Sequence, residues 1–462
     1  MKSYLLSRAR IAHLSCLAFV LVGFSQMVQA AGPTSTSKDY SVAVFANAPS
    51  GFTNPDSITS FQGTIWVGYQ NKTLATGGGG NSNIVQFDST GHIMKVYTLT
   101  DKTDGLKFNP FDGKIYALQN EDANPHLIVI DPVTGTMTNF TYAAAPAHGG
   151  GYDDIVFLNG QIFISASNPT VNSAGQNTSP SVVKASLKGN QIDVTPVLIG
   201  NAQLTDITSG NPFVSLQSDP DSFTVDPSGN LVLDSQADSN LIFLNAPGSP
   251  NQVGYVLQLS SSSTTPVTVD DTVFPTSASG TIYVADTPAN IVYAVTSNVF
   301  PPNSAFTSAV DTAGYVGRID LQTGAITPII TGLQAPHGAL FLSTLPEVRL
   351  EQASSSGGKA GGTVGEFLVS RTGEVSLALQ VVLNIMDSSS NDPSSSSTQK
   401  TVTIPAGASS ATVTVALDSK SDFKEDRSKQ SVVVSIQPSS SYNVQPNNVQ
   451  TGVQVLSLPQ PK

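Results

Sequence analysis

Five aspartates and one histidine occupy equivalent places in a pattern that recurs along the chain. In each copy an acidic residue precedes a short apolar run, a turn containing glycine follows, and a second apolar run completes the unit. The aligned residues are Asp56, Asp104, Asp153, Asp221, Asp271 and His337. Their spacings are 48, 49, 68, 50 and 66 residues. What these side chains can do depends on whether the fold gathers them in one place.

Gathered carboxylates repel one another. A bound cation, raised pKa values or hydrogen bonds to backbone amides must relieve that repulsion. Calcium suits such a place because it takes about six to eight oxygen ligands, so the sequence predicts that the five aligned aspartates bind calcium. An aspartate before Ser, Thr or Gly also commonly accepts hydrogen bonds from nearby backbone N–H groups. This structural role remains open as the alternative.

Histidines add to the candidate site. His337 interrupts the series of acids and can act as a metal ligand or carry a proton near neutral pH, so His337 and Asp221 are the candidates for catalysis. His148 precedes Gly149–Gly151, where the backbone can approach a ligand closely, and we expect it to bind the same ligand. Zinc would need His148, His337 and one aspartate, but no HExxH spacing supports it. The chain contains no GxSxG nucleophile motif.

Each repeat predicts four strands. A second hairpin of apolar runs and Asp/Pro/Gly turns follows each of the first five copies, as in LIVIDPVTGTMTNF and GRIDLQTGAITPII. Four-stranded units of this length are the blades of a β-propeller. The sixth copy has no strands of its own after Leu350, so we expect the strand at 40–46 to complete it. The six aligned residues would then meet at one end of the central channel.

The pattern, above all GTIYVADTPANIVYAV, resembles the NHL-repeat propellers and the gluconolactonase-like (senescence marker) propellers over residues 40–350. The resemblance implies a six-bladed propeller. Those families include lactonases, a metal-dependent lyase and many binding scaffolds, so the fold does not select one function.

The two ends of the chain differ from the repeats. Lys2, Arg8 and Arg10 precede an apolar run at 14–24 and small residues before Ala31, which predicts a signal peptide over residues 1–30 and an exported protein, periplasmic or secreted. The propeller is expected at 31–350 and a Ser/Gly-rich linker at 351–363.

Residues 364–462 contain strand-like runs that predict an immunoglobulin-like β-sandwich. The phrase TVTIPAGASSATVTVALDSKSDFKED looks like a Calx-β domain. That resemblance implies a calcium-binding loop formed by Asp418, Asp422, Glu425 and Asp426. Gln430 stands where the family has a second glutamate, and a structural spacer is the alternative.

Charge and composition narrow the function. The chain has 33 acidic and 21 basic residues, which disfavours nucleic acid and anionic membranes as partners. The apolar run in the signal peptide is too short to span a membrane. Two functions are expected. The first is a scaffold that binds a small molecule or an extracytoplasmic protein or glycan on the channel face. The alternative is a calcium-dependent hydrolase or lyase of the lactonase type.

Overall fold

The computed structural model describes residues 32–261, 267–301, 304–310, 313–357, 363–373, 375–387, 398–416, 431–444 and 454–457. The predicted signal peptide and the acidic loop at Asp418, Asp422, Glu425 and Asp426 lie outside these ranges. Residues 33–462 form one compact unit. Across the described residues, no helix has the length and apolar character needed to cross a membrane.

The first half of the propeller consists of three four-stranded sheets, whose strands follow one another from the channel outward. Sheet 1 contains β3 (Pro55–Phe61), β4 (Thr64–Tyr69), β5 (Asn81–Phe87) and β6 (Ile93–Thr100). Sheet 2 contains β7 (Thr103–Asn109), β8 (Lys114–Gln119), β9 (His126–Ile130) and β10 (Met137–Tyr142). Sheet 3 contains β11 (Ile155–Leu158), β12 (Gln161–Ser165), β13 (Pro180–Lys188) and β14 (Gln191–Ile199). A short parallel pairing of β10 with β14 joins sheets 2 and 3.

Sheet 4 contains β17 (Pro220–Val225), β18 (Leu231–Ser235), β19 (Asn240–Asn245) and β20 (Val253–Gln258), extended outward by β15 (Gln203–Asp206) and β16 (Pro212–Val214). Sheet 5 contains β22 (Val269–Val273), β25 (Ala305–Ala309), β26 (Gly314–Ile319) and β27 (Ala325–Leu333), with β1 (Thr34–Ser35) and β21 (Ser260–Ser261) paired to β27. Sheet 6 contains β28 (Pro336–Ser343), β23 (Gly280–Asp286), β24 (Ile291–Ser297) and β2 (Ser41–Asn47).

The six inner strands close a ring. β3, β7, β11, β17, β22 and β28 each contact the next in this order, and β28 contacts β3. Neighbouring strands come so close that a side chain at Gly105 would collide with the backbone of Asp153, and one at Gly338 with the backbone of Asp56. Apolar clusters fill the seams between sheets, and one of them holds the fully buried Trp66. The all-β propeller is confirmed, and the N-terminal strand completes sheet 6 as predicted, because β2 pairs with β24.

Sheets 5 and 6 exchange strands, which the repeat pattern does not predict. The fifth copy was expected to pair its first strand, at Asp271, with the run GTIYVADT. That run is β23, and it pairs with β28 instead of β22. The chain therefore leaves sheet 5 after β22, builds β23 and β24 of sheet 6, and returns to sheet 5 at β25. The segment between β24 and β26 thus contains β25, a strand of sheet 5.

The C-terminal part is a β-sandwich of two four-stranded sheets. One sheet has the order β33 (Ser410–Ala416), β30 (Thr363–Arg371), β29 (Glu347–Gly357) and β35 (Asn443–Val444). The other has the order β32 (Thr398–Ile404), β31 (Leu379–Asp387), β34 (Ser431–Ile436) and β36 (Gln454–Ser457). A core that includes Leu350, Phe367, Val381 and Val434 lies between the two sheets.

The sandwich begins earlier than predicted. The segment 351–363 was expected to be a linker, but β29 runs from Glu347 to Gly357 and pairs along its length with β30. Val348 and Leu350 are buried in the sandwich core, so the apolar residues before the Ser/Gly-rich stretch hold it in a strand despite its composition. Only residues 344–346 separate β28 from β29.

Candidate functional site

The ring residues share one backbone position. In β3, Pro55 pairs with Tyr69 and Ile58 with Val67, so the two residues between them lie at a register irregularity. The same break separates Thr103 from Leu106, Pro220 from Phe223, Val269 from Thr272 and Pro336 from Ala339. The first residue inside each break is the ring position, which gives Asp56, Asp104, Asp221, Asp270 and His337; Asp153 stands equally far before Ile155 in β11.

Asp271 was therefore aligned one residue too far along the chain. Asp270 occupies the ring position of sheet 5, and Asp271 lies at the next position, equivalent to Asp154. Asp271 Oδ2 accepts a hydrogen bond from the Ala339 backbone N–H at 2.7 Å, and Asp154 Oδ2 accepts one from the Phe223 N–H at 2.9 Å. Asp271 thus links β22 to β28, and Asp154 links the start of β11 to β17. These two carboxylates therefore fill the structural role that was left open for aspartates.

The ring residues converge on one cavity of about 210 Å³ at an end of the channel, which we call the mouth cavity. Asp56, Asp104, Asp153, Asp221, Asp271 and His337 all line it, as does Asp270. Its ten carboxyl side chains belong to Asp56, Asp104, Glu121, Asp122, Asp153, Asp154, Asp219, Asp221, Asp270 and Asp271. Among the residues that the structure describes, the cationic side chains in this lining are those of Lys102 and His337.

His148 does not line the mouth cavity. Its side chain is buried, with the residue 1% exposed, and its Nε2 lies 2.6 Å from the carbonyl oxygen of Gly151. Tyr152 packs edge-to-face against the imidazole. Burial lowers the pKa of His148. The close backbone approach at Gly151 is to Asn120 and Glu121 of the chain itself, so this histidine and its glycine run organise a loop.

Lys102 neutralises one side of the mouth cavity. Its Nζ lies 3.1 Å from Asp104 Oδ2 and also pairs with Glu121. Burial alone would raise the pKa of Asp104, but the Lys102 ammonium holds it below its usual value. Burial and the charge of Asp104 raise the pKa of Glu121 to about 9. The prediction missed Lys102, although it stands two residues before a ring aspartate.

His337 forms a second charged pair. Its Nδ1 lies 2.7 Å from Asp270 Oδ2 and 3.9 Å from Asp56 Oδ1, and its side chain is 32% exposed. Burial would lower the pKa of His337, but Asp270 and Asp56 together raise it to about 10. Asp270 also accepts hydrogen bonds from Ser222 Oγ and Gln236 Nε2, both at 3.1 Å. The Asp270 pair therefore keeps the imidazole of His337 charged at neutral pH, and a role of His337 as a proton carrier stays a prediction.

The other ring carboxyls are held by hydrogen bonds. Gln70 donates to Asp56, and Asp153 and Asp221 are hydrogen-bonded to each other. Burial, followed by the repulsion of nearby carboxylates, raises the pKa of Asp56, Asp153 and Asp221 well above the usual range. A pair of carboxyls in contact retains a proton because both cannot ionise at low cost.

The ring does not form an oxygen cage. Among the residues that the structure describes, no three His, Cys, Asp or Glu side chains are grouped so that they could hold a metal ion. Three ring carboxyls contact side chains of the protein instead. Asp56 accepts a hydrogen bond from Gln70, Asp104 pairs with Lys102, and Asp270 pairs with His337. The residues as placed do not fit calcium at the ring, and calcium binding by this chain stays a prediction.

Comparisons with known proteins add neighbours of low similarity. No family model and no curated protein matches the chain. A solved structure of streptogramin B lyase is 12% identical, covers 72% of this chain and 83% of its own, and has a TM-score of 0.35.

A protein described as a candidate gluconolactonase is 10% identical, with coverages of 74% and 91% and a TM-score of 0.38. A candidate exported protein from Bacteroides fragilis is 9% identical, with coverages of 72% and 85% and a TM-score of 0.36. The class of this protein, an all-β propeller followed by a β-sandwich, rests on the pairing of its own strands.

Proposed function

We propose that this protein is an exported recognition scaffold whose mouth cavity binds a small, positively charged molecule. The observation that supports this function most is the lining of the mouth cavity. Ten carboxyl side chains and two cationic side chains surround a volume of about 210 Å³. Carboxylates accept hydrogen bonds and favour cations, so a ligand rich in charged N–H donors suits the cavity. The sandwich serves as a spacer or adhesion module, and the molecule acts in the periplasm or outside the cell.

The state of His337 supports binding over proton transfer. A general base must be unprotonated near the working pH, whereas the Asp270 carboxylate keeps the imidazole of His337 charged at neutral pH. The pairs Lys102–Asp104 and His337–Asp270 also hold the cavity wall in place before a ligand arrives. A preorganised wall lowers the entropic cost of binding.

Calorimetry with a charged and a neutral probe tests the proposal. We expect 1,4-diaminobutane to bind the full-length mature protein and the neutral 1,4-butanediol not to bind. Asp221→Asn should weaken the diamine about tenfold or more, since a bound ammonium favours the ionised form of Asp221 and a charge-assisted hydrogen bond contributes ~1.5–3 kcal/mol. Asp193→Asn is the control, because Asp193 pairs with Lys188 on the surface. Equal binding of diol and diamine, or no effect of Asp221→Asn, would overturn the proposal.

One observation supports a second candidate, a hydrolase or lyase of the lactonase type. Asp153 and Asp221 are hydrogen-bonded carboxyls whose pKa burial raises, so Asp221 holds its proton to a higher pH than a free aspartate and could donate it to a leaving oxygen. Metal dependence belongs to this alternative as a prediction. Turnover of a lactone panel, measured with added calcium and with EDTA, tests it. Activity lost in Asp221→Asn and in His337→Gln would favour the enzyme over the scaffold.

Export and the Calx-β resemblance are proposals with their own tests. The positive residues and apolar run before Ala31 support cleavage after Ala30. N-terminal sequencing of the protein recovered from the periplasm or medium should begin at Ala31. Calcium binding by the loop at Asp418 should appear as a calcium-dependent rise in the melting temperature that Asp422→Asn removes.

A further inference from the structure

A second cavity occupies the other end of the channel. It has a volume of about 250 Å³ and is lined by residues of all six inner strands, among them Thr59, Lys107, Phe157, Thr224 and Thr272. Glu347 and Arg349 of the sandwich strand β29 complete its wall. We call this space the lower chamber. A side pocket of about 190 Å³ adjoins it and shares Lys107, Val156, Phe157, Glu347 and Arg349.

The sandwich closes the lower chamber and is fastened there. Asn443 Nδ2 donates to Ser343 Oγ at 2.7 Å, and Gln62 Nε2 donates to the Gly407 carbonyl at 3.2 Å. Thr276 donates to the carboxyl of Glu347. These bonds link the propeller to three separate parts of the sandwich. The chamber therefore lies between two domains, a place where ligand sites are common.

In the lining of the lower chamber, unlike that of the mouth cavity, cationic side chains outnumber carboxyl side chains. Its lining includes the cations Lys107 and Arg349 and one carboxyl, Glu347. The carboxylates that pair with the cations lie outside the lining: Asp154, 3.0 Å from Lys107 Nζ, lines the mouth cavity, and Glu351 pairs with Arg349. Burial raises the pKa of Glu347 to about 7, so this carboxyl is partly protonated at neutral pH.

The rest of the wall combines apolar residues with threonines. The phenylalanine, valine, leucine and isoleucine residues of the lining lie in five inner strands or directly after one of them: Ile58, Val156, Phe157, Phe223, Val225, Val273, Phe274, Leu340 and Phe341. A volume of about 250 Å³ is below the range of drug-sized ligands and suits a single ring or a short chain. A guanidinium close to apolar residues is suited to a small organic carboxylate, whose carboxyl group it can bind through two parallel N–H donors.

We propose that the lower chamber is a second ligand site, which takes a small organic carboxylate with an apolar body. The carboxylate would face Arg349 and Lys107, and the apolar body would lie against Phe157 and Phe223. The side pocket, whose lining includes the polar residues Ser370, Thr372 and Ser409, gives the route of entry between the domains. This site is independent of the cation proposed for the mouth.

Benzoate is the probe for the test, with benzylamine and benzyl alcohol as matched controls of similar size. Calorimetry on the full mature chain should show saturable binding of benzoate and at least tenfold weaker binding of both controls. Thr224→Phe fills the chamber without removing any of its charges and should reduce benzoate affinity at least tenfold. Thr141→Phe, at an exposed position of β10, should leave it unchanged.

Two further variants keep the result decisive. Arg349→Lys keeps the charge but removes the planar pair of donors, and it should weaken benzoate several-fold even if Thr224→Phe fails to fold. Asp221→Asn should leave benzoate binding unchanged, which separates this site from the mouth. No saturable benzoate binding, equal binding of the three probes, or full affinity in both Thr224→Phe and Arg349→Lys would overturn the proposal.

Discussion

His337 Nδ1 and Asp270 Oδ2 lie 2.7 Å apart, at ring positions contributed by two neighbouring inner strands. The pair joins sheet 6 to sheet 5 at the mouth, next to the contact of Asp271 with the Ala339 N–H. One sheet therefore presents two consecutive carboxylates to its neighbour, the first to a side chain and the second to the backbone.

The pKa values of His337 and His148 should be shifted in opposite directions from that of a free imidazole. Because Asp270 and Asp56 raise the pKa of His337 to about 10, its imidazolium should persist up to about pH 9. Burial lowers the pKa of His148, so the midpoint of its titration should lie below that of a free imidazole. Two-dimensional ¹H–¹⁵N NMR of the imidazole nitrogens measures both, and His337→Gln and His148→Gln assign the signals. A His337 that titrates near pH 6.5 would contradict the pairing.

Substitutions of the neighbouring residues Asp270 and Asp271 should have different effects. Asp270→Asn removes the strongest charge on His337, so the pKa of His337 should fall toward its ordinary value while the fold stays intact. Asp271→Ala removes the acceptor of the buried Ala339 N–H, so it should lower the free energy of unfolding by ~1–3 kcal/mol. Histidine titration and urea unfolding of both variants test this. If Asp271→Ala lowered the pKa of His337 and Asp270→Asn lowered the free energy of unfolding, Asp271 would occupy the ring position instead.

Glu347 should make stability fall as pH rises. Its pKa is about 7 in the folded protein and 4.5 in the unfolded chain, so the folded state holds the proton more tightly. This contribution is complete below pH 4.5 and is lost as pH rises through 7, a difference of ~3 kcal/mol. Lys107 and Arg349 are the charged groups that line the chamber with it.

Glu347→Gln removes that titration. Relative to wild type, the variant should gain stability between pH 5 and pH 8, measured by urea unfolding at each pH. Glu366→Gln, in the neighbouring sandwich strand, is the matched control. A difference between wild type and Glu347→Gln that does not change with pH would show that Glu347 is not buried in the chamber.

Removing the N-terminal strand should open the propeller. Deletion of residues 32–47 leaves β24 as an unpaired edge in sheet 6 and β27 without its β1 partner. Exposed edges promote association, so the truncated protein should aggregate or lose cooperative unfolding, as judged by size-exclusion chromatography and circular dichroism. Val44→Thr, an exposed position of β2, should behave as wild type. A monomeric, cooperatively folded truncation would contradict closure by β2.

The ring residues could be predicted from the sequence because each repeat shows the same short pattern of residues. The details that depend on strands far apart in the chain could not be predicted. Asp270 and Asp271 are identical in type, and only the register break between Val269 and Thr272 decides which one faces the mouth. The run at β23 reads as the partner of β22 because it follows in the chain, yet its pairing with β28 depends on contacts more than fifty residues away. No sequence motif marks Lys102. Its pairing with Glu121 depends on the fold, which brings the two side chains together.

The strand exchange between sheets 5 and 6 limits how this molecule could have changed in evolution. Sheets 1 to 4 each occupy one continuous stretch of chain, so duplication or loss of a gene segment could add or remove one of them whole. Sheets 5 and 6 cannot be separated in that way, because a cut between them leaves both incomplete. The N-terminal strands β1 and β2 pair with these same two sheets, so both ends of the propeller sequence meet in sheets 5 and 6.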